Sequence, residues 1–96
     1  MMILVSYDVS TKTASGVRRL RKIAQACLDY GLRVQNSVFE CSVDPAQWES
    51  LKDTLLSIYS AEEDSLRFYF LGSNWKRRVE HHGKGTVEDI EDTLIV

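Results

Sequence analysis

The stretch Arg33-Val34-Gln35-Asn36-Ser37-Val38-Phe39-Glu40-Cys41-Ser42-Val43 decides the fold. It reads as extended chain, yet it does not keep a single alternation. Val34 sets one parity, whereas Phe39, Cys41 and Val43 occupy the other. Successive side chains of a strand point to opposite faces, so a one-residue change of phase exchanges the two faces. A bend, bulge or tight turn is therefore expected near Asn36-Ser37, leaving either one kinked strand or two short ones.

Downstream, Asp44-Pro45-Ala46-Gln47 is a helix start. Asp44 is the N-cap, Pro45 takes the first helical position, and Gln47 completes a capping box. Val43 can pack on Trp48 as a hydrophobic staple. Trp48, Leu51, Leu55, Ile58 and Tyr59 then form an apolar stripe that ends near Ser60. A strand follows from Ser65 to Leu71, with Leu66, Phe68 and Phe70 on one face.

Upstream, Val17, Leu20, Ile23, Ala24, Cys27 and Leu28 recur at helical spacing between about Gly16 and Tyr30. Ser15 is the expected N-cap and Gly31 the expected left-handed stop. Before the Ser/Thr-rich loop Ser10–Ser15, Ile3-Leu4-Val5-Ser6-Tyr7 is apolar on both faces, which places it inside a sheet, and it ends at Asp8. The order is that of an α+β, ferredoxin-like sandwich, βαββαβ, with two helices on one face of an antiparallel sheet. The second face and the open edges need covering, and a two-fold homodimer is the simplest way to cover them.

Ninety-six residues accommodate one domain, here residues 1–96, with the core in 1–82 and a tail in 83–96. A chain of this size buries only about 65% of its unfolded surface and often leans on a partner. Twelve Lys and Arg stand against fourteen Asp and Glu, a net charge of −2 that excludes a strongly basic nucleic-acid binder. Any anion site must come from local patterning. Cys27 and Cys41 are too few for a disulfide scaffold and lack zinc-site spacing, so both read as packing residues. Neither a signal peptide nor a membrane span is expected, and the cytoplasm is the expected location.

Two cationic clusters and one acid stand out. Arg18, Arg19, Arg21 and Lys22 lie near a helix N-terminus, where cations oppose the macrodipole. They form either a solvated basic face or an anion site in which phosphate meets helix N–H groups and guanidinium forks. Asp8 closes a central strand beside the loop entering that helix. It serves either turn chemistry or metal binding. One carboxylate makes a poor magnesium site, but a nearby dimer axis would bring two copies of Asp8 together, and two crowded carboxylates favour a divalent cation. Such a pair suits metal-dependent phosphodiester cleavage. The second cluster, Lys76-Arg77-Arg78 with Lys84, is either an edge hairpin blunted by charge or a phosphate-tracking segment. His81 and His82 are adjacent and read as solvated loop residues. Leu94-Ile95-Val96, after the acidic Glu88, Asp89, Glu91 and Asp92, reads as an extra C-terminal strand added to a sheet edge of the partner protomer.

Val5-Ser6-Tyr7-Asp8, the block Tyr30-Gly31-Leu32-Arg33-Val34-Gln35-Asn36-Ser37-Val38-Phe39-Glu40, and Gly72-Ser73-Asn74-Trp75 with Arg78 to His81 together resemble the CRISPR-associated protein 2 family. The resemblance spans nearly the whole chain, and the block from Gly31 to Glu40 is its most specific part. It implies a ferredoxin-like homodimer whose C-terminal strand crosses to the partner. It also implies divalent-metal-dependent cleavage of phosphodiester bonds in RNA or duplex DNA, and a place as central dimer beside the CRISPR integrase. Asp8 takes the place of the family's metal-binding aspartate; Arg33, Ser37 and Phe39 take the places of residues lining the same cleft. Many relatives carry acidic residues after the aspartate, and none occurs here between Val9 and Val17.

The resulting expectation is a Mg²⁺-dependent (or Mn²⁺-dependent) endonuclease of CRISPR adaptation. Asp8 from both protomers holds the ion, and Arg18, Arg19 and Arg33 clamp phosphates, with Lys76 and Arg77 adding affinity. Duplex DNA is favoured because a two-fold body suits a two-fold substrate, RNA being the other possibility. The alternative is a non-catalytic dimeric scaffold that grips DNA and docks the CRISPR integrase through its tail. A single-stranded RNA reader built on Phe68, Tyr69 and Phe70 is disfavoured, because consecutive aromatics alternate faces and the Gly-Phe-Gly-Phe pattern is missing.

Overall fold

A computed structural model describes residues 1–72. The elements are β1 (Met2–Asp8), α1 (Ala14–Leu28), β2 (Gly31–Gln35), β3 (Val38–Ser42), α2 (Pro45–Ile58) and β4 (Ser65–Gly72). The strands form one antiparallel sheet in the order β2-β3-β1-β4. This is the α+β, βαββαβ arrangement that the residue pattern predicts. β1 is hydrogen-bonded on both sides, as its two-faced apolar character requires.

The phase change resolves into two short strands joined at Asn36 and Ser37. Arg33 pairs with Phe39 and Gln35 with Val38, so Val34 is an extra residue in β2. A second irregularity lies in β4, where Met2 faces Gly72 and Ile3 faces Phe70, which leaves Leu71 extra. Both extra side chains pack with Leu4 against Met2, on the face opposite the helices.

The helix-side core takes alternate residues of β1, Ile3, Val5 and Tyr7, with Phe39 and Cys41 from β3. Ile23 and Cys27 of α1 and Trp48, Leu51 and Leu55 of α2 close over them. Burial of each large aliphatic side chain contributes roughly 2 kcal/mol relative to exposure. Trp48 stands edge-on to Phe68 and Phe70, with ring centroids 4.8 and 5.6 Å away.

Helix α2 starts as expected: Asp44 Oδ1 accepts from the Gln47 amide at 2.7 Å, and Gln47 Oε1 accepts from the Asp44 amide at 2.9 Å. Helix α1 departs from expectation at both ends. It starts at Ala14, with Thr13 as N-cap, so Ser15 lies inside the first turn. Both residues can cap, and Thr13 prevails by accepting from the Gly16 amide at 3.2 Å. The helix ends at Leu28, which is half-exposed, while Ala26 is buried. Gly31 is not a left-handed stop; among the described residues only Gly72 has positive φ. Gly31 opens β2 at a point where a Cβ would lie 2.1 Å from the Glu40 carbonyl oxygen. Its bare Cα serves a close strand approach.

Both cysteines are buried in the core. Burial pushes the Cys27 thiol up to about 12 and the Cys41 thiol to about 11. Neither forms the reactive thiolate near neutral pH. A thiol-reactive disulfide reagent at pH 8 is expected to label neither residue in the native protein and both after denaturation; fast native labelling would contradict this packing. Among the described residues no helix is long and apolar enough to cross a membrane. The readings placed on Lys76, Arg77, the histidine pair and the C-terminal tail and strand fall outside the described residues.

Candidate functional site

The C-terminal end of β1 gathers the site. Asp8 is the last residue of this interior strand, faces Ser65 of β4, and has an exposed side chain. Among the described residues its carboxylate makes no hydrogen bond or ion pair. It lines a cavity of about 160 Å³ with Ser6, Tyr7, Ser65, Leu66 and Arg67.

On the other side of β1, the β2–β3 turn is bonded to Tyr7. The Tyr7 amide donates to the Ser37 carbonyl at 3.0 Å, and the Tyr7 hydroxyl donates to the Asn36 carbonyl at 3.2 Å. Burial first, and the nearby Cys27 second, raise the Tyr7 pKa above its ordinary value, with Arg33 opposing them. Tyr7 therefore stays a protonated hydrogen-bond donor at neutral pH. Its ring stacks on Phe39 at 6.1 Å, and the Arg33 guanidinium sits over the Phe39 ring at 5.2 Å.

Arg33, Ser37 and Phe39 are thus brought together around Tyr7, one residue from Asp8. Their exposures differ. Arg33 is exposed and Ser37 half-buried, but Phe39 is fully buried in the helix-side core. This corrects the expectation that Phe39 lines a cleft, because its ring cannot meet a nucleic acid without leaving the core. Its role here is to carry Tyr7 and Arg33.

Arg18 and Arg19 are neighbours in sequence with different partners. Arg18 is exposed and lines a groove of about 310 Å³ between α1 and α2, with Ser15, Arg19, Lys22, Ser57 and Ile58. Neither Arg18 nor Lys22 has an ion-pair partner among the described residues. Asp8 does not line this groove, so one chain keeps its acid and its helical cations in separate cavities. Because α1 begins at Ala14, these cations also stand beyond its first turn, where the macrodipole opposes them less.

Arg19 was expected to clamp phosphate, but its guanidinium is already engaged. Nε donates to Asp64 Oδ2 at 2.7 Å, and Nη2 donates to Asp64 Oδ1 at 3.3 Å and Glu63 Oε2 at 3.0 Å. Nη1 donates to Ser15 Oγ at 3.0 Å. The Asp64 side chain is 0% exposed, and the Arg19 guanidinium, aided by the Ser60 and Ser10 amides against the cost of burial, holds its pKa below the usual carboxylate range.

Two residues of this region went unread in the sequence. Arg67 is paired with Ser6 across β1 and β4, and it is the cation that shares the Asp8 cavity. Its signal was the odd-numbered parity of β4, which places it on the face away from the helices. Asp64 has one local partner, the Ser60 amide, but the two that tie it to this region, Ser10 and Arg19, lie 54 and 45 residues away.

Asp8 fits a divalent ion in kind, being an exposed hard oxygen ligand that is uncommitted among the described residues. It does not suffice alone. No group of three His, Cys, Asp or Glu side chains is arranged to hold a metal among the described residues. The further ligands must come from a second copy of the chain, from substrate phosphates or from water.

An exposed acid closing an interior strand of a ferredoxin-like sheet, with an arginine in its cavity, marks a small α+β protein of a class suited to phosphate chemistry. The comparisons narrow that class. The family model for CRISPR associated protein Cas2 matches residues 1–79. A "CRISPR-associated endoribonuclease Cas2" of Chlorobaculum tepidum is 59% identical over 96 residues, covering 100% of both chains. A "CRISPR-associated endonuclease Cas2" of Halalkalibacterium halodurans is 55% identical over 95 residues, covering 99% of each. The crystal structure of Streptococcus pyogenes Cas2 superposes with a TM-score of 0.75 at 58% identity, covering 86% of this chain and 100% of that one. The chain belongs to the Cas2 family.

Proposed function

We propose that the chain is a metal-dependent endonuclease that cleaves phosphodiester bonds in CRISPR adaptation, in the cytoplasm, as a homodimer with Asp8 of each protomer facing a shared site. The observation that carries this reading is the exposed Asp8 carboxylate, unpaired among the described residues, at the end of an interior strand in a cavity that also holds Arg67. The names of the relatives, endoribonuclease or endonuclease, support the reaction class. Asp8 from two copies would hold Mg²⁺ or Mn²⁺, whose chemistry is to neutralise phosphate charge and activate water. Arg67, in the Asp8 cavity, supplies a cation that orients a phosphate relative to Asp8, and Arg33, over the Phe39 ring, supplies a further exposed cation beside Tyr7. Pairing with β4 through Asp8 itself, and on the other side the ladder to β3 as far as Ser6 with the Tyr7 amide bonded to Ser37, fix the backbone that carries the acid.

Duplex DNA is the substrate we favour, on the two-fold argument. The test incubates the purified full chain with labelled duplex DNA and labelled RNA, with Mg²⁺, with Mn²⁺ and with EDTA. Cutting that EDTA abolishes and added ion restores is expected. Equal cutting in EDTA overturns metal dependence, and faster cutting of RNA overturns the DNA preference.

A second reading, a non-catalytic scaffold that grips DNA beside the CRISPR integrase, is favoured by one observation. Arg18 and Lys22 line the groove without an ion-pair partner among the described residues, which suits holding phosphates without cutting. Duplex binding without cleavage under either ion would support it over the first. Either way, Lys76 and Arg77 would add phosphate contacts.

A further inference from the structure

Asp64 is a buried, charged side chain with a fuller set of partners than any acid near the site, and the proposed reaction makes no direct use of it. Its two oxygens each accept one backbone N–H and one guanidinium N–H. Oδ1 takes the Ser10 amide at 3.1 Å, and Oδ2 takes the Ser60 amide at 2.9 Å. Arg19 bonds both oxygens from α1.

These partners bracket Asp8. Ser10 lies two residues beyond it, where the chain leaves β1. Ser65, next to Asp64, is its cross-strand neighbour. The Ser10 carbonyl oxygen also lies close against Gly16 of α1, where no Cβ would fit. One carboxylate therefore ties the exit of β1, the entry of β4 and the first half of α1 into one unit around the acid.

We propose that Asp64 is a positioning residue for Asp8, and that Arg19 acts through Asp64 rather than on the nucleic acid. This rests on the reading of Asp8 as the ion-holding acid. A liganding carboxylate is only as well placed as the backbone behind it, and groups that support a ligand without touching the ion typically change metal affinity about 10–100-fold when removed.

The experiment titrates Mn²⁺ alone into the full-length protein, by electron paramagnetic resonance, for the parent, Asp8→Asn, Asp64→Asn and Arg19→Gln. Cleavage kinetics and the salt dependence of nucleic-acid binding are measured beside it. Because both Asp64 oxygens face donors, an Asn there must turn its NH₂ towards one of them. Asp64→Asn is expected to weaken Mn²⁺ binding about tenfold and to lower kcat with little change in KM. Should Asp64→Asn not fold, Arg19→Gln, which leaves both backbone amides on Asp64, is expected to shift the Mn²⁺ midpoint in the same direction. If Arg19 instead contacts phosphate, Arg19→Gln leaves that midpoint unmoved and flattens the salt dependence of binding, which overturns the proposal. Loss of Mn²⁺ binding in Asp8→Asn with parental binding in Asp64→Asn and Arg19→Gln overturns the positioning role and leaves the nuclease reading standing. Parental Mn²⁺ binding and cleavage in Asp8→Asn overturns both.

Discussion

Asp8→Asn is expected to lower cleavage by about a thousandfold or more while the melting temperature stays within about 4 °C of the parent. The two halves of this result follow from the same observation. The carboxylate is exposed and uncommitted among the described residues, so the fold does not depend on its charge. Asn keeps the shape and loses the charge that attracts a hard divalent cation. A shared site adds a second signature. When parent and Asp8→Asn protein are mixed equally and allowed to exchange protomers, a site needing both carboxylates retains about a quarter of the activity, that of the fully parental pairs. A decline only to half would show that each Asp8 works alone.

Phe39→Ala is the largest expected change in stability. The ring is fully buried, stacks on Tyr7 and carries the Arg33 guanidinium. Emptying such a site costs about 3–5 kcal/mol. For a domain of this size that lowers the melting temperature by about 15–30 °C. Loss of cleavage in this variant would therefore report unfolding. Phe39→Leu separates the cases, since it refills most of the volume at a much smaller cost. Phe39→Leu should cleave at nearly the parental rate at temperatures where it is folded. A folded Phe39→Leu protein with no activity would restore a direct contact between this ring and the substrate.

Much of the fold could be read because the decisive signals were local. The Asp44-Pro45-Gln47 start of α2 depends on residues within one turn of each other. The interior position of β1 shows in five consecutive residues, and the change of parity after Val34 shows a break near Asn36-Ser37, though not whether it leaves one kinked strand or two short ones. Helix α1 was harder at its start, since Thr13 and Ser15 can both cap and only the geometry chooses between them. Phe39 was placed correctly as strand but not as core. Its neighbours in the resemblance pointed to a cleft, and the stacking partner that holds it inward, Tyr7, comes from another strand. Arg18 and Arg19 look equivalent in sequence but are about 100° apart around a helix. That rotation turns one outward and the other onto Asp64, which lies 45 residues further along. The Ser10–Asp64 bond spans 54 residues. No pattern within a short window carries such information.

The two bulges have a consequence for how this sheet can change over evolutionary time. Removing Val34 would leave Gln35 opposite Val38 and Arg33 opposite Phe39 in an uninterrupted ladder, and removing Leu71 would do the same for β1 and β4. No inward residue would be turned over. Each bulge thus places an aliphatic side chain against Met2 without touching the layer beneath the helices. An indel at either point can retune that surface while the scaffold of Tyr7 and Asp8 keeps its register.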